Sequence, residues 1–187
     1  FVKIFKDPLK YKLEYKVLRN KDNFLLNFPE YFALVLKYED FISLSKESVN
    51  YEDIIKIAEL ISDFHRGNWL SIENDKEISL EKVLEKNVYR LADRKEYPKI
   101  SKLHSKFLKN IRKLDEEYEK TLVLIHGDFG LRNIMRKDDN LVLIDFERVK
   151  YASYFLDFIK YFYQDLDNDK LKKGLFLKHY YEHSNEE

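Results

Sequence analysis

Two short apolar runs, Leu122–Ile125 and Leu141–Ile144, each end on side chains able to do chemistry. The first run leads into His126, Gly127 and Asp128, with Asn133 five residues after the aspartate. The second leads into Asp145, Phe146 and Glu147. Between them, Lys137-Asp138-Asp139-Asn140 reads as a tight polar turn. Folding back at that turn brings Asn133 and Asp145 together, with Asp128 on the adjoining loop, and makes an acidic, oxygen-rich site at strand ends. Hard oxygen ligands of this kind suit Mg²⁺, which takes one or two protein carboxylate or amide oxygens and completes its octahedron with phosphates and water. A separate carboxylate beside the ion can orient an attacking hydroxyl and accept its proton.

This division of labour is the protein-kinase arrangement: a catalytic aspartate, an asparagine five residues on, and a metal-binding Asp-Phe after a strand. As His-Gly-Asp-x-x-x-x-Asn followed by Ile-Asp-Phe-Glu, the segment resembles the aminoglycoside phosphotransferase and choline kinase superfamily, whose members share the kinase fold and phosphorylate small molecules. Two motifs in order, at short spacing and each after an apolar strand, make the match specific. The resemblance implies an α+β, protein-kinase-like fold with a truncated N-terminal β-lobe and a mainly helical C-terminal lobe. It also implies ATP and Mg²⁺ as cofactors and a small hydroxylated molecule as acceptor.

Composition bounds the reading. With 187 residues and 44% hydrophobic content the chain can build a core. Lys+Arg and Asp+Glu both number 34, a balance that argues against a dedicated nucleic-acid surface. The chain has no cysteine, so no disulfide framework or thiolate site, which fits a reducing, cytoplasmic setting. No apolar run reaches membrane-spanning length and no signal peptide is visible. The sequence starts at Phe1, already strand-like, so a fragment whose amino-terminal part is missing is one expectation.

Along the chain, a strand at Phe1–Phe5 precedes Asp7-Pro8, a good helix start, with Leu9, Leu13 and Val17 extending the helix to about Arg19 and Asn20 near its end. Two strands, Phe24–Phe28 and Phe32–Lys37, lead to a hinge at Lys37-Tyr38-Glu39-Asp40, where relatives contact an adenine. This divides the chain into a partial N-terminal lobe over residues 1–37, a linker over 38–49 and a helical lobe over 50–187. Asn50 and Asp53 form a capping-box pattern for a helix with an apolar stripe at Ile54, Ile57, Ala58, Ile61 and Phe64-His65, ended by Gly67. His65 closes that stripe as a packed or capping residue. Trp69 follows in a loop, as do the polar residues 71–76. Leu80–Leu91 has helical period, Asp93–Tyr97 is a break, and Pro98 opens one helix carrying Ile100, Leu103, Phe107, Ile111 and Leu114, with His104 structural. Ser153 caps a helix running to about Leu166, and a last helix spans roughly Asp169–His183.

Roles follow from motif and resemblance together. Asp128 is the expected catalytic base; Asn133 and Asp145 are the expected Mg²⁺ and nucleotide ligands. The resemblance pairs Lys3, on the first strand, with Glu14, on the following helix, as the couple that steadies ATP phosphates. It also makes Asp157 an internal support that accepts backbone N–H groups of the catalytic loop, with His126 an organiser of that loop. Glu147 could reach a second metal or a cationic substrate group, or be an exposed loop carboxylate. Arg132, Lys6 and Lys37 receive no role. Two features depart from the family pattern: Leu131 stands where relatives often have proline, and the four glycines, Gly67, Gly127, Gly130 and Gly174, leave no glycine-rich loop before Lys3. That absence keeps open an inactive kinase-like binding module; a hydrolase using His126, Asp128 and Asp145 is a third possibility.

Overall fold

Residues 2–18, 23–37, 39–67 and 79–185 are described by the computed structural model of the chain. Phe1, Arg19, Asn20, Tyr38, Trp69 and the polar stretch 71–76 lie outside the described residues. Strand β1 (Val2–Phe5) runs into helix α1 (Pro8–Val17), whose cap is Asp7: its carboxylate accepts the Leu9 N–H at 2.9 Å, and Pro8 supplies the preset φ of the first turn. β2 (Phe24–Asn27) and β3 (Phe32–Val35) complete an antiparallel sheet of order β1-β3-β2, in which Lys3 and Leu25 both sit opposite Leu34. A small cluster of Phe5, Tyr11 and Leu34 joins α1 to this sheet. The buried residues of α1 are Tyr11 and Glu14, whereas Leu9 is 67% exposed. Of the Leu9, Leu13, Val17 row, Leu9 faces solvent while Leu13 and Val17 pack, partly buried, against the larger core; contacts with β1 and β3 add Tyr11 and Glu14 as the fully buried positions.

The larger core lies further along. Helix α2 (Tyr51–Arg66) opens with a reciprocal capping box, in which the Asp53 N–H donates to Asn50 Oδ1 at 2.9 Å and the Asn50 N–H to Asp53 Oδ2 at 3.2 Å. Its stripe of Ile54, Ile57, Ala58, Ile61 and Phe64 buries against α7 (Lys170–Ser184), capped by Asp169, with Phe129, Phe158, Tyr161, Phe176 and Tyr180 filling the interior. Rings here meet edge to face, as at Phe158 and Tyr180, with centroids 4.8 Å apart. Helices α3 (Leu80–Tyr89), α4 (Tyr97–Leu108) and α5 (Ile111–Glu119) pack on one another without a fully buried residue. The single helix expected from Pro98 through Leu114 is thus two. Asn110, a weak helix former, sits at the break, and no deep burial enforces continuity.

Two small antiparallel pairings present the motif residues. β5 (Leu122–Ile125) pairs with β8 (Lys150–Ser153), and the hairpin β6 (Ile134–Lys137) with β7 (Asn140–Leu143) carries β4 (Ile42–Ser43) on its outer edge. Ser153, expected as a helix cap, instead ends β8, where its hydroxyl accepts from Thr121 Oγ1 at 2.8 Å. The helix expected through about Leu166 does run that far, from Phe155: α6 spans Phe155–Lys160 and continues as a π turn over Tyr161–Asp165. Among the described residues no helix is long and apolar enough to cross a membrane.

Candidate active site

The loop after β5 is held from beneath by one carboxylate. Asp157, on α6 and 1% exposed, accepts the His126 N–H on Oδ2 and the Gly127 N–H on Oδ1, both at 2.8 Å. The His65 ring nitrogen Nε2 lies 3.1 Å from Oδ2, and His65 Nδ1 lies 2.9 Å from the Tyr180 hydroxyl. A consistent assignment has Nε2–H donating to Asp157 and Nδ1 accepting from Tyr180. His65 thereby links α2 and α7 to the loop. The backbone reverses at Gly127, with φ +76°, where an added Cβ would come within 2.2 Å of the Arg148 carbonyl oxygen. Only glycine allows that approach.

His126 is wholly buried and organises the same loop. Its Nε2 lies 2.9 Å from the Ile144 carbonyl and donates to it, while Nδ1 accepts the Asp128 N–H at 3.3 Å. Burial holds its pKa below the usual imidazole value despite that carbonyl and the nearby aspartates. Both ring nitrogens are engaged, so His126 does not offer a metal ligand, which removes the hydrolase arrangement. Among the described residues no cluster of three or more His, Cys, Asp or Glu side chains is suited to a metal ion.

The β6–β7 hairpin brings the two motifs together. The Ile144 N–H donates to the Asn133 carbonyl at 3.0 Å, which fixes Asn133 beside the end of β7. Asn133 Nδ2 donates to the Asp128 carbonyl at 2.8 Å, leaving Oδ1 as its oxygen for a cation. Asp145 follows in the left-handed region, φ +64°, a conformation that a non-glycine residue holds only where its surroundings impose it. Asn133 and Asp145 both line a cavity of about 590 Å³, walled also by Lys3, Glu14, Leu18, Asn23, Leu36, Lys37, Glu39, Phe41 and Ile144. Lys37 and Glu39, from the expected hinge, thus share one cavity with the motif residues.

Lys3 closes the arrangement. Its Nζ lies 2.9 Å from Glu14 Oε2 and 2.5 Å from Asp145 Oδ1, so the first strand meets a residue 142 positions later. Burial pulls the Lys3 ammonium down, but hydrogen bonds to Asp145 and Glu14 outweigh it and hold its pKa above the usual value. Burial pushes the Glu14 carboxyl up, against the pull of Lys3. α1 also packs on the 3-10 turn Phe146–Arg148 that follows Asp145, which is how a helix near the start of the chain reaches this loop.

Asp128 is 5% exposed and surrounded by cations: its carboxylate accepts from Arg132 and from Lys160, and Arg148 Nη1 stands 4.0 Å away. Burial alone would raise its pKa; the Lys160 and Arg132 hydrogen bonds hold it below the usual carboxylate value. Sequence reasoning left Arg132 without a role and did not single out Lys160 or Arg148. One signal existed, since Lys160 follows Asp157 by three residues and shares its helix face. Asp165, at the end of the π turn, accepts the Leu131 N–H at 3.1 Å and braces the same loop. Glu147 is outside the cavity lining, with Oε1 3.9 Å from Arg148 Nε.

The site residues that the sequence nominated therefore converge: Lys3, Glu14, Asn133 and Asp145 on one cavity, and His126 and Asp157 beneath the loop that presents Asp128. Hard oxygens from Asn133 and Asp145 fit a Mg²⁺ site that draws its remaining ligands from phosphate and water. Solved structures share the fold. They include a choline kinase from Cryptosporidium parvum (19% identity over 98% of this chain and 63% of that one, TM-score 0.62) and the choline kinase LicA from Streptococcus pneumoniae (18%, 96% and 66%, TM-score 0.65). A third is the aminoglycoside phosphotransferase APH(3'')-Id from Streptomyces rimosus, in complex with ADP and streptomycin (13%, 98% and 82%, TM-score 0.65). The chain spans less than two thirds of the length of either choline kinase. No curated protein matches it in sequence. The α+β fold is protein-kinase-like, and the profile of the ecdysteroid kinase-like family matches residues 46–186, three quarters of the sequence. By that match, the chain belongs to the ecdysteroid kinase-like family.

Proposed function

We propose that this protein is a Mg²⁺-dependent phosphotransferase that moves the γ-phosphoryl group of ATP to a hydroxyl of a small molecule. The observation that carries the reading is the Lys3 ammonium, held between Glu14 and Asp145 at the wall of a cavity that also contains Asn133. Kinase-like chemistry asks for that convergence, because a lysine steadied by a glutamate and a carboxylate beside an amide oxygen together hold a polyphosphate. Asn133 and Asp145 would hold Mg²⁺, which when bound neutralises charge on the phosphate oxygens. Lys3 binds phosphate oxygens, and Glu14 keeps its ammonium aimed at them. Asp128 sits on the neighbouring loop, where it orients the acceptor hydroxyl and takes its proton. A carboxylate held below its usual pKa is a weak base, yet sufficient where proton transfer comes late in a loose transition state and positioning dominates. Asp157 and Gly127 fix where Asp128 stands.

Calorimetric titration with ATP, with and without Mg²⁺, tests the reading. Binding should require Mg²⁺ and be lost in Asp145→Ala, while Asp128→Asn should keep binding and lose transfer. ATP binding that ignores both Mg²⁺ and Asp145 would overturn it. Mg²⁺-dependent binding without transfer to any acceptor alcohol would favour a kinase-like binding module instead.

A further inference from the structure

The hairpin that carries Asn133 and Asp145 has a second attachment at its other end. Asn133 stands just before β6 and Asp145 just after β7, so both lie at the open end of the hairpin. Lys137 ends β6 opposite Asn140, at the turn end. At about 3.3 Å per residue, roughly 13 Å of chain separates Asn133 from Lys137. From the sequence Lys137 reads only as part of a polar turn, yet its Nζ donates to Glu39 Oε2 at 2.8 Å, across 98 positions. Glu39 lines the cavity of about 590 Å³, as does Phe41 two residues on. Next along the chain, β4 runs beside β6, with Ile42 opposite Arg136 and Ser43 opposite Met135. The linker is therefore fastened to β6 on both sides of Phe41, by an ion pair at Glu39 and by strand pairing from Ile42.

Alternation along β6 gives the two basic side chains different partners, because successive residues of a strand face opposite ways. Arg136 turns to α2, where its Nη2 donates to Asp53 Oδ1 at 2.6 Å. Asp53 is 4% exposed and already held in the helix cap, so β6 is anchored to the core. Lys137 turns the other way, to the linker, from that fixed base. Residues 39–41 belong to no helix or strand, so nothing in their own backbone pattern sets their place. Ordering such a segment when a ligand arrives costs conformational entropy, and fixing it beforehand removes part of that cost. The ion pair also neutralises a carboxylate on the wall of a cavity read as taking a polyphosphate.

We infer that Lys137 is a positioning residue for the nucleobase: through Glu39 it holds the linker wall of the cavity against the hairpin, so that the base meets a preset surface while Asn133 and Asp145 take the phosphate end. The inference rests on the phosphotransferase reading.

The probes are Mg²⁺-ATP, AMP and Mg²⁺-tripolyphosphate, each titrated calorimetrically into the full chain, wild type and Lys137→Met. AMP carries the base without the terminal phosphates, and tripolyphosphate carries phosphates without the base. The Lys137 and Glu39 side chains are 43% and 27% exposed, so solvent screening keeps the effect modest. ATP and AMP should each lose about three- to five-fold in affinity, with tripolyphosphate unchanged. Lys137→Arg, which keeps the charge, should recover ATP affinity to within about two-fold. In a Glu39→Gln background Lys137→Met should have no further effect, because the pair is already gone. A lysine that served stability alone would weaken ATP and tripolyphosphate equally and lower the urea midpoint in step, and that result would overturn the inference. So would unchanged ATP and AMP affinity in Lys137→Met, the same loss in the Glu39→Gln background, or an arginine that restores nothing. A wild type that binds no Mg²⁺-ATP overturns the phosphotransferase reading and this inference with it. Binding that needs Asp145 but is indifferent to Lys137 overturns the inference alone.

Discussion

Replacing Asp157 by alanine should be among the most costly single changes in the molecule, and the structure says by how much. Three donors end on this carboxylate, the His126 and Gly127 N–H groups at 2.8 Å and His65 Nε2 at 3.1 Å; the two from histidine are buried and that of Gly127 partly so. Each buried donor left without an acceptor costs about 1–3 kcal/mol. Relief from burying the carboxylate itself returns part of that, so the net loss for Asp157→Ala should be about 3–5 kcal/mol. Asp157→Asn keeps one acceptor oxygen but turns an N–H₂ toward one of the donors; its loss should be about 1–3 kcal/mol. Urea unfolding followed by circular dichroism measures both. With a slope of about 2 kcal/mol/M, the alanine variant should move the midpoint down by about 2 M at unchanged slope. His65→Ala made on top of Asp157→Ala should cost at least about 1 kcal/mol less than in the parent, because the contact it removes is already gone. An alanine variant that loses under about 1 kcal/mol, or a His65 cost that is the same in both backgrounds, would refute the claim that this carboxylate holds the loop.

Other expectations follow from single observations. Gly127→Ala meets both a positive φ and the Arg148 carbonyl at 2.2 Å, so it should destabilise by about 3 kcal/mol or more, whereas Gly174→Ala, in exposed helix with nothing within 4 Å, should stabilise by about 0.5–1 kcal/mol; urea midpoints distinguish the signs. The buried His126 is kept neutral, with its folded pKa below 6.5, so the unfolded chain binds more protons as pH falls through and below 6.5 and stability drops there. Measured against His126→Gln, in which the other titrating groups cancel, the wild-type advantage should shrink between pH 7.5 and 5.5; a constant gap would contradict the neutral assignment. Asp128 adds a loss at lower pH, since a carboxylate held below its usual pKa stabilises above 3.8 and loses that contribution as pH falls through its folded value.

How far the sequence could be read depended on whether a residue's neighbour was near along the chain. Caps are local: Asp7 before Pro8, and the Asn50–Asp53 box, were legible because the partner lies within three residues. The hairpin was legible from its polar turn, and with it the approach of Asn133 to Asp145. Strand β8 was not, because Lys-Tyr-Ala-Ser has no alternation of its own and becomes a strand through pairing with β5. The π turn left no trace either, since Tyr161 and Phe162 fit a helical stripe as well as an α-helix would. Charge was the least legible property. With 34 Lys+Arg in the chain, the one local pointer is the three-residue spacing of Lys160 from Asp157; that Asp128 lies between Lys160 and Arg148 only tertiary structure shows.

The contact between Lys3 and Asp145 argues one last point, that metal and lysine compete. Both want the same oxygen, Asp145 Oδ1, which now has Lys3 Nζ at 2.5 Å. Asp145 is 37% exposed in this pair, so solvent screening limits what the contact is worth to about 1 kcal/mol, near five-fold in an equilibrium. Lys3→Met should therefore strengthen binding of Mg²⁺ alone, by up to about five-fold, since it frees a carboxylate oxygen. The same substitution should weaken Mg²⁺-dependent ATP binding, since it removes the cation that Glu14 aims at phosphate, and leaves Glu14 buried at 1% exposure without its partner. Opposite signs for metal and for nucleotide are what a switching lysine demands: bound to Asp145 when the cavity is empty, released to phosphate when it fills. A lysine that served only to tie β1 to the loop would lower both affinities together through loss of structure. Calorimetry on one variant with two titrants separates the cases, and a fall in affinity for Mg²⁺ alone would refute the competition.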